Sequence, residues 1–282
     1  MVMGPTHAMS GAVAWLAGAG ITTAVLGRPQ TPTELVVYTT VCAGSALLPD
    51  LDCSGRVLQN RGGATVARTF GVFSLFLAEC VEKFAYAVYL VTKGPRDEKR
   101  TNGHRLLTHT WLFAVLLGLG VTLLVDQFGK PVVVGTLFLT VGLAIRGLMS
   151  EWARRNGWVL TTLCAGFATL LAIQILPEEN GYSLLGIAVG AGCVVHTLGD
   201  MITRAGCPIL FPIPIKGETY YEIRPPRKWA LRAGGRFEKK TLMPALTVAF
   251  FIAAAWQLPI VQDWVSSMLD AVAGNDAEAS SS

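Results

Sequence analysis

Long stretches almost free of charge dominate this chain, and they constrain what it can become. A helix needs about 20 mostly apolar residues to cross a bilayer. Such runs lie near 8–27, 34–50, 106–126, 131–149, 157–176, 182–203 and 242–258. A further stretch, 70–92, is long enough but carries Glu79, Glu82 and Lys83 at mid-length. Charges at a helix centre cost about 2.5–3.5 kcal/mol each on insertion scales, and these three fall on neighbouring turns, as in a helix lying in the interface. The expected fold is an all-α integral membrane protein with about seven transmembrane helices and one interfacial amphipathic helix.

Composition agrees. Only 15% of the 282 residues are charged, against 52% hydrophobic, and 30 are glycine. A soluble domain carries about a quarter charged residues, whereas small residues suit close helix packing in lipid. The six cysteines (Cys42, Cys53, Cys80, Cys164, Cys193, Cys207) show no CxxC pair and no zinc-finger spacing. The first residues lack the charged n-region and cleavage motif of a signal peptide. These features exclude a disordered chain, a secreted disulfide scaffold and an ordinary soluble enzyme. A net charge of +4 is too small to argue for nucleic acid, and no direct nucleic-acid binding is expected.

Charge distribution sets the orientation. Segment 53–105 holds nine Lys/Arg against four acids, and 204–240 holds nine against three. Arg146, Arg154 and Arg155 outnumber Glu151 in a third basic connection. The alternate connections are neutral or acidic, as at Glu178 and Glu179. With 70–92 lying flat, every basic segment falls on one side, which the positive-inside rule makes cytoplasmic. The expected organisation is one multi-pass domain over 1–258, its N-terminus cytoplasmic, with a cytoplasmic insert at 53–105 and a cytoplasmic flap at 204–240. Residues 259–282 form a short, partly disordered acidic tail outside.

All four histidines stand in short polar motifs at the ends of these runs. His7 precedes the first; Asp50 and Asp52 close the second in LLPDLD; His104 and His109 open another in GHRLLTHT; His196 and Asp200 sit in VVHTLGDMITRAG. The topology puts all seven at the cytoplasmic end. Imidazole and carboxylate are standard ligands for zinc and also serve manganese or iron. His196 and Asp200 are one helical turn apart on one face, and Asp50 and Asp52 point together in an extended segment. Thr108 or Asn102 is placed to orient the histidines as a supporting shell. Seven donors exceed what one zinc needs, so one to three ions are expected. Taken singly, each could only bond a neighbouring helix; ionisable groups at membrane depth nonetheless point to function.

Arg56, Arg105 and Arg204 lie within five residues of a candidate ligand, and guanidinium forks suit phosphate oxygens; snorkelling to headgroups is the alternative. In the flap, Glu222 and Glu238 are candidates for a further ligand or a general base, or equally for solvated charges.

The quoted motifs, with HTLGDMITRAGCPILFPIP at 196–214 and GGRFEK at 234–239, resemble the YdjM-like, LexA-regulated family of bacterial inner-membrane metal-dependent hydrolases. That resemblance implies His7, Asp50, Asp52, His104, His109, His196 and Asp200 as metal ligands. A more distant similarity links such proteins to zinc-dependent phospholipase C and nuclease P1. The expected function is a membrane-embedded, metal-dependent hydrolase of a phosphoester, lipid-like substrate, with Arg105, Arg204 and Glu238 as catalytic candidates. A metal or proton transporter, or a membrane protein with a purely structural metal, would use the same ligands.

Overall fold

The computed structural model describes residues 3–53, 66–176 and 182–261, together with Ser267. Arg56, Glu178, Glu179 and nearly all of the acidic tail lie outside the described residues. Among those described, the chain is helical, with α1 (Gly4–Leu26), α2 (Pro32–Ser45), α3 (Val72–Thr92), α4 (Trp111–Phe128), α5 (Lys130–Leu148), α6 (Ser150–Ile175), α7 (Leu184–Met201) and α8 (Met243–Trp256). Four of them, α4 to α7, are long and apolar enough to cross a membrane. α2 and α8 have 14 residues each.

Local chemistry explains where the helices start and stop. A capping box opens α2: the Thr31 hydroxyl accepts from the Glu34 N–H while the Glu34 carboxylate accepts from the Thr31 N–H. The apolar run after it does not stay helical to Asp50. It tightens after Ser45 into a 3₁₀ turn, Leu48–Asp52, containing Pro49. The run beginning at 106 likewise starts as a 3₁₀ turn, Leu107–His109, before the Thr110 hydroxyl caps α4 by accepting from the Phe113 N–H. The expected start of a span at 157 coincides with a break inside α6, where Gly157 adopts φ 76°.

α3 presents Ser74, Ala78, Ala85 and Tyr89 to the protein, and Glu79 pairs with Lys83 on its exposed side at 2.6 Å. A stripe of small residues facing inward and an ion pair facing out is the pattern of a helix resting on the bundle.

The core is shared among α1, α2, α4, α5, α6 and α7. α2 is held between α1 and α7 at very short range. A Cβ on Gly11 would lie 2.7 Å from the Cys42 carbonyl oxygen, and one on Gly192 would lie 2.5 Å from it. Only glycine permits that backbone approach from both sides. The consequence is that the C-terminal ends of α2 and α7 and the N-terminal end of α1 meet at one end of the bundle. The segment 202–237 covers that end through isolated bridges and turns. Phe211 stacks on Tyr220, which contacts Tyr89 of α3, and Trp111 N–H donates to the Ile209 carbonyl.

Candidate metal centre

Each of the seven candidate ligands is buried at that end. His7 sits in the second turn of α1, whose N-terminus is clasped by Glu238: Oε1 accepts from the Met3 N–H (2.6 Å) and the Thr6 hydroxyl (2.9 Å), and Oε2 from the Gly234 N–H (2.6 Å). A carboxylate at a helix N-terminus also complements the helix dipole. His196 and Asp200 project from the last turns of α7. Gly199 beside them leaves room for the His7 ring, which a Cβ there would meet at 3.1 Å. The two 3₁₀ turns supply Asp50 and Asp52 on one side and His109 on the other.

The donor atoms converge. His109 Nε2 lies 3.2 Å from His196 Nε2, and Asp50 Oδ1 lies 3.7 Å from each of them. Asp200 Oδ2 is 3.8 Å from His109 Nε2, and its Oδ1 is 3.3 Å from His7 Nε2. His7 stacks on His196 with ring centroids 3.9 Å apart. Supporting groups fix the ring orientations. His196 Nδ1–H donates to the Ala46 carbonyl at 2.8 Å, so its Nε2 is the nitrogen turned toward His109 and Asp50. His109 Nδ1 lies 3.2 Å from Asp52 Oδ2, which also accepts from the Thr108 hydroxyl and from the Arg105 N–H at 3.0 Å. Asp52 Oδ1 pairs with His104 Nδ1 at 2.6 Å.

Electrostatics follow from this crowding. Burial works to raise the Asp50 carboxyl, but the imidazoles of His196, His109 and His7 hold it below its ordinary value. Burial also opposes ionisation of Asp52, and His104 and His109 outweigh it, keeping the carboxyl well below the usual range. Burial disfavours charge on His109, yet Asp52 and Asp50 prevail and push it up to about 9. His109 Nε2 thus stands within hydrogen-bonding distance of His196 Nε2, on a ring that keeps its proton more readily than a free imidazole.

The arrangement fits a divalent cation. Two imidazole nitrogens and a carboxylate oxygen lie within 3.2–3.7 Å of one another. Asp50 Oδ1 and both His7 nitrogens are buried without a hydrogen-bond partner among the described residues, a state that is costly unless something else meets them. Among the described residues, three triads have donor atoms within 4.8 Å of one another: Asp50, His109 and His196; His7, His196 and Asp200; and Asp52, Cys53 and His104. A nitrogen held by a carbonyl or carboxylate on its far side is how metal-binding histidines are oriented.

Arg105 joins the cluster, and Arg204 and Glu238 do not. The Arg105 guanidinium pairs with Asp200 through Nη2, and the residue is held at φ 60°, a conformation a non-glycine residue adopts at a cost. Burial works against its charge and Asp200 more than compensates. Arg204 is exposed. The Glu238 oxygens serve the start of α1, and Glu222 pairs with Arg100 at 2.6 Å. Of the expected supporting residues, Thr108 does hold Asp52, while Asn102 accepts from the His104 backbone N–H at 3.2 Å. Sequence reasoning missed Cys53, whose only signal is adjacency to Asp52, and Cys207, whose sulfur lies 3.9 Å from Arg105 Nη2.

The family model described as YdjM inner membrane protein matches residues 1–265. No curated protein and no solved structure matches the chain. The match covers nearly the whole chain, so the chain belongs to this family of inner membrane proteins, and its apolar helices fit a multi-pass member.

Proposed function

We propose that this YdjM-family protein is a metal-dependent hydrolase of a phosphoester in a lipid-like substrate, working at the cytoplasmic face of the bacterial inner membrane. In this reading seven helices cross the bilayer, α3 lies along the interface, and the N-terminus is cytoplasmic. The observation that carries it is the meeting of His109 Nε2, His196 Nε2 and Asp50 Oδ1 in the buried interior, with both rings held from behind.

Asp50, His109 and His196 would hold the ion, with Asp200 beside them; zinc suits this donor set best and manganese next. When bound, a divalent ion supplies Lewis acidity, polarising a phosphoryl oxygen and acidifying a water. The chain's own residues do the rest. Asp52 and the Ala46 carbonyl orient the two rings. Arg105, paired with Asp200 through Nη2, offsets negative charge developing on the phosphoryl group. His7 Nε2 accepts the proton of the attacking water, and Asp200 Oδ1, 3.3 Å away, stabilises the imidazolium. Glu238 positions His7 by fixing the first turn of α1. A site at headgroup level reaches a lipid ester without extracting it from the bilayer. Transport is served less well, because transporter sites lie near the midplane and these donors gather at one end of the bundle.

Phosphate release from vesicles of phosphatidic acid, and release of glycerol or glycerol phosphate from vesicles of phosphatidylglycerol, measured on the reconstituted protein, test the reading. Turnover should be abolished by chelation and should fall about 10²–10³-fold in Arg105→Ala, as for loss of one charge-stabilising group. Absence of turnover on either lipid, or turnover indifferent to chelator and to Asp50→Ala, would overturn it.

A further inference from the structure

We propose a second, sulfur-containing metal site formed by Asp52, Cys53 and His104, separate from the His109–His196 pair. The inference extends the metal-centre reading without depending on it, because two of its three ligands are not used there. Cys53 Sγ lies 3.1 Å from His104 Nδ1, and Asp52 Oδ1 lies 2.6 Å from that same nitrogen. All three residues are buried, with His104 at the rim at 7% exposure and therefore within reach of ions from outside.

This setting is unlike that of the other buried thiols in the helical core. Cys42 and Cys193 pack among apolar helices and behave as small hydrophobes. Cys53 instead follows directly on a carboxylate and rests against an imidazole, so its sulfur belongs to a polar cluster. Zinc bonds of about 2.0–2.3 Å in tetrahedral geometry need donor atoms spread about 0.4–0.7 Å wider than those found here. Small side-chain rotations supply that. The thiol proton and the His104 Nδ1 proton pass to solvent as the cation replaces them.

Three protein ligands leave a fourth position open, as in reactive rather than closed structural sites. The thiolate biases the site toward zinc or cadmium and away from magnesium or manganese. Asp52 becomes the link between the two sites: Oδ1 faces the second ion while Oδ2 keeps its hold on His109 Nδ1.

The test uses the detergent-purified full chain, stripped by chelator and titrated with cadmium alone. The ultraviolet thiolate-to-cadmium absorption and the bound cadmium per chain are followed together. The expected result is a saturable band that disappears in Cys53→Ser, with one fewer ion bound, and persists in Cys207→Ser and Cys80→Ser. Should Cys53→Ser fold poorly, His104→Gln serves instead, keeping the band but weakening cadmium binding by at least about tenfold. No band in the wild type, or a band and ion count unchanged by Cys53→Ser, would overturn the proposal. His196→Ala separates the two ideas. If it removes an ion and leaves the band, both sites stand. If the wild type binds only the ion that gives the band, the second site stands and the His109–His196 centre falls.

Discussion

Two buried carboxylates near opposite ends of the bundle have the same chemistry and opposite situations. Glu34, at the start of α2, spends both oxygens. Oε1 pairs with Arg28, and Oε2 accepts from the Thr31 N–H and hydroxyl at 2.8 and 3.1 Å. Asp50, just beyond the other end of the same helix, leaves Oδ1 without a hydrogen bond while two imidazole nitrogens stand 3.7 Å away. Burying an unmet polar atom costs free energy of about 1–3 kcal/mol. A fold that satisfies one carboxylate and leaves the other unmet offers the second to a ligand. Burial alone therefore does not mark a site; burial with donors converging on an unmet atom does.

Breaking the support behind His109 gives the largest effect on affinity at the His109–His196 centre, where Asp52 is not itself a ligand. Asp52→Asn keeps the shape but loses the charge that orients the Nδ1–H, and ion affinity should fall about 10–100-fold. Chelator competition on the purified variant measures it, and an unchanged affinity would mean that Asp52 does not hold the ring.

Acidity sharpens the same comparison. Because His109 is held protonated up to about 9, an ion at Nε2 must displace a proton. Apparent affinity should rise by about tenfold per pH unit between pH 7 and 9. The sign for the metal-stripped protein is opposite. A raised histidine pKa adds stability that is fully present below the ordinary value of 6.5 and is lost as pH climbs through about 9. Competition titrations at pH 7 and 8, with thermal melts of the stripped protein, check both signs; a flat affinity profile would refute the raised affinity of His109 for its proton.

Glu34→Gln is the contrasting control and the smallest effect. It should cost about 1–3 kcal/mol of stability through lost charge-assisted bonds and leave the bound metal unaltered, read as a lower melting temperature at constant ion content. Loss of metal in this variant would erase the distinction between the two carboxylates.

Much of this arrangement is legible in the sequence. Each candidate ligand interrupts or borders an apolar run, so four histidines and three aspartates stand out, and the charge alternation gathers them at one end. α3 is also readable as a helix unlike the others, since Glu79, Glu82 and Lys83 fall on neighbouring turns and it is not among the four helices apolar enough to cross a membrane. Finer features depend on geometry that spacing does not encode. The two-residue step from Asp50 to Asp52 says nothing of which carboxylate faces the His109–His196 pair and which holds a ring from behind. Glu238 reads as a general base in the chain but is spent on Met3, Thr6 and Gly234 because the π-helical turn that carries it, Glu238–Leu242, abuts the start of α1. The positive φ of Arg105, which turns its side chain to Asp200 while its N–H reaches Asp52, has no signature in a residue type that normally avoids that conformation.

The most direct test is the metal content of the purified protein by elemental mass spectrometry, beside Asp50→Ala and His196→Ala and with Glu34→Gln as the far-end control. At least about one divalent ion per chain is expected in the wild type and in Glu34→Gln, with the loss of at least one in both site variants. A wild-type protein that stays free of metal after reconstitution with zinc and manganese, or site variants that keep the full complement, would contradict this expectation.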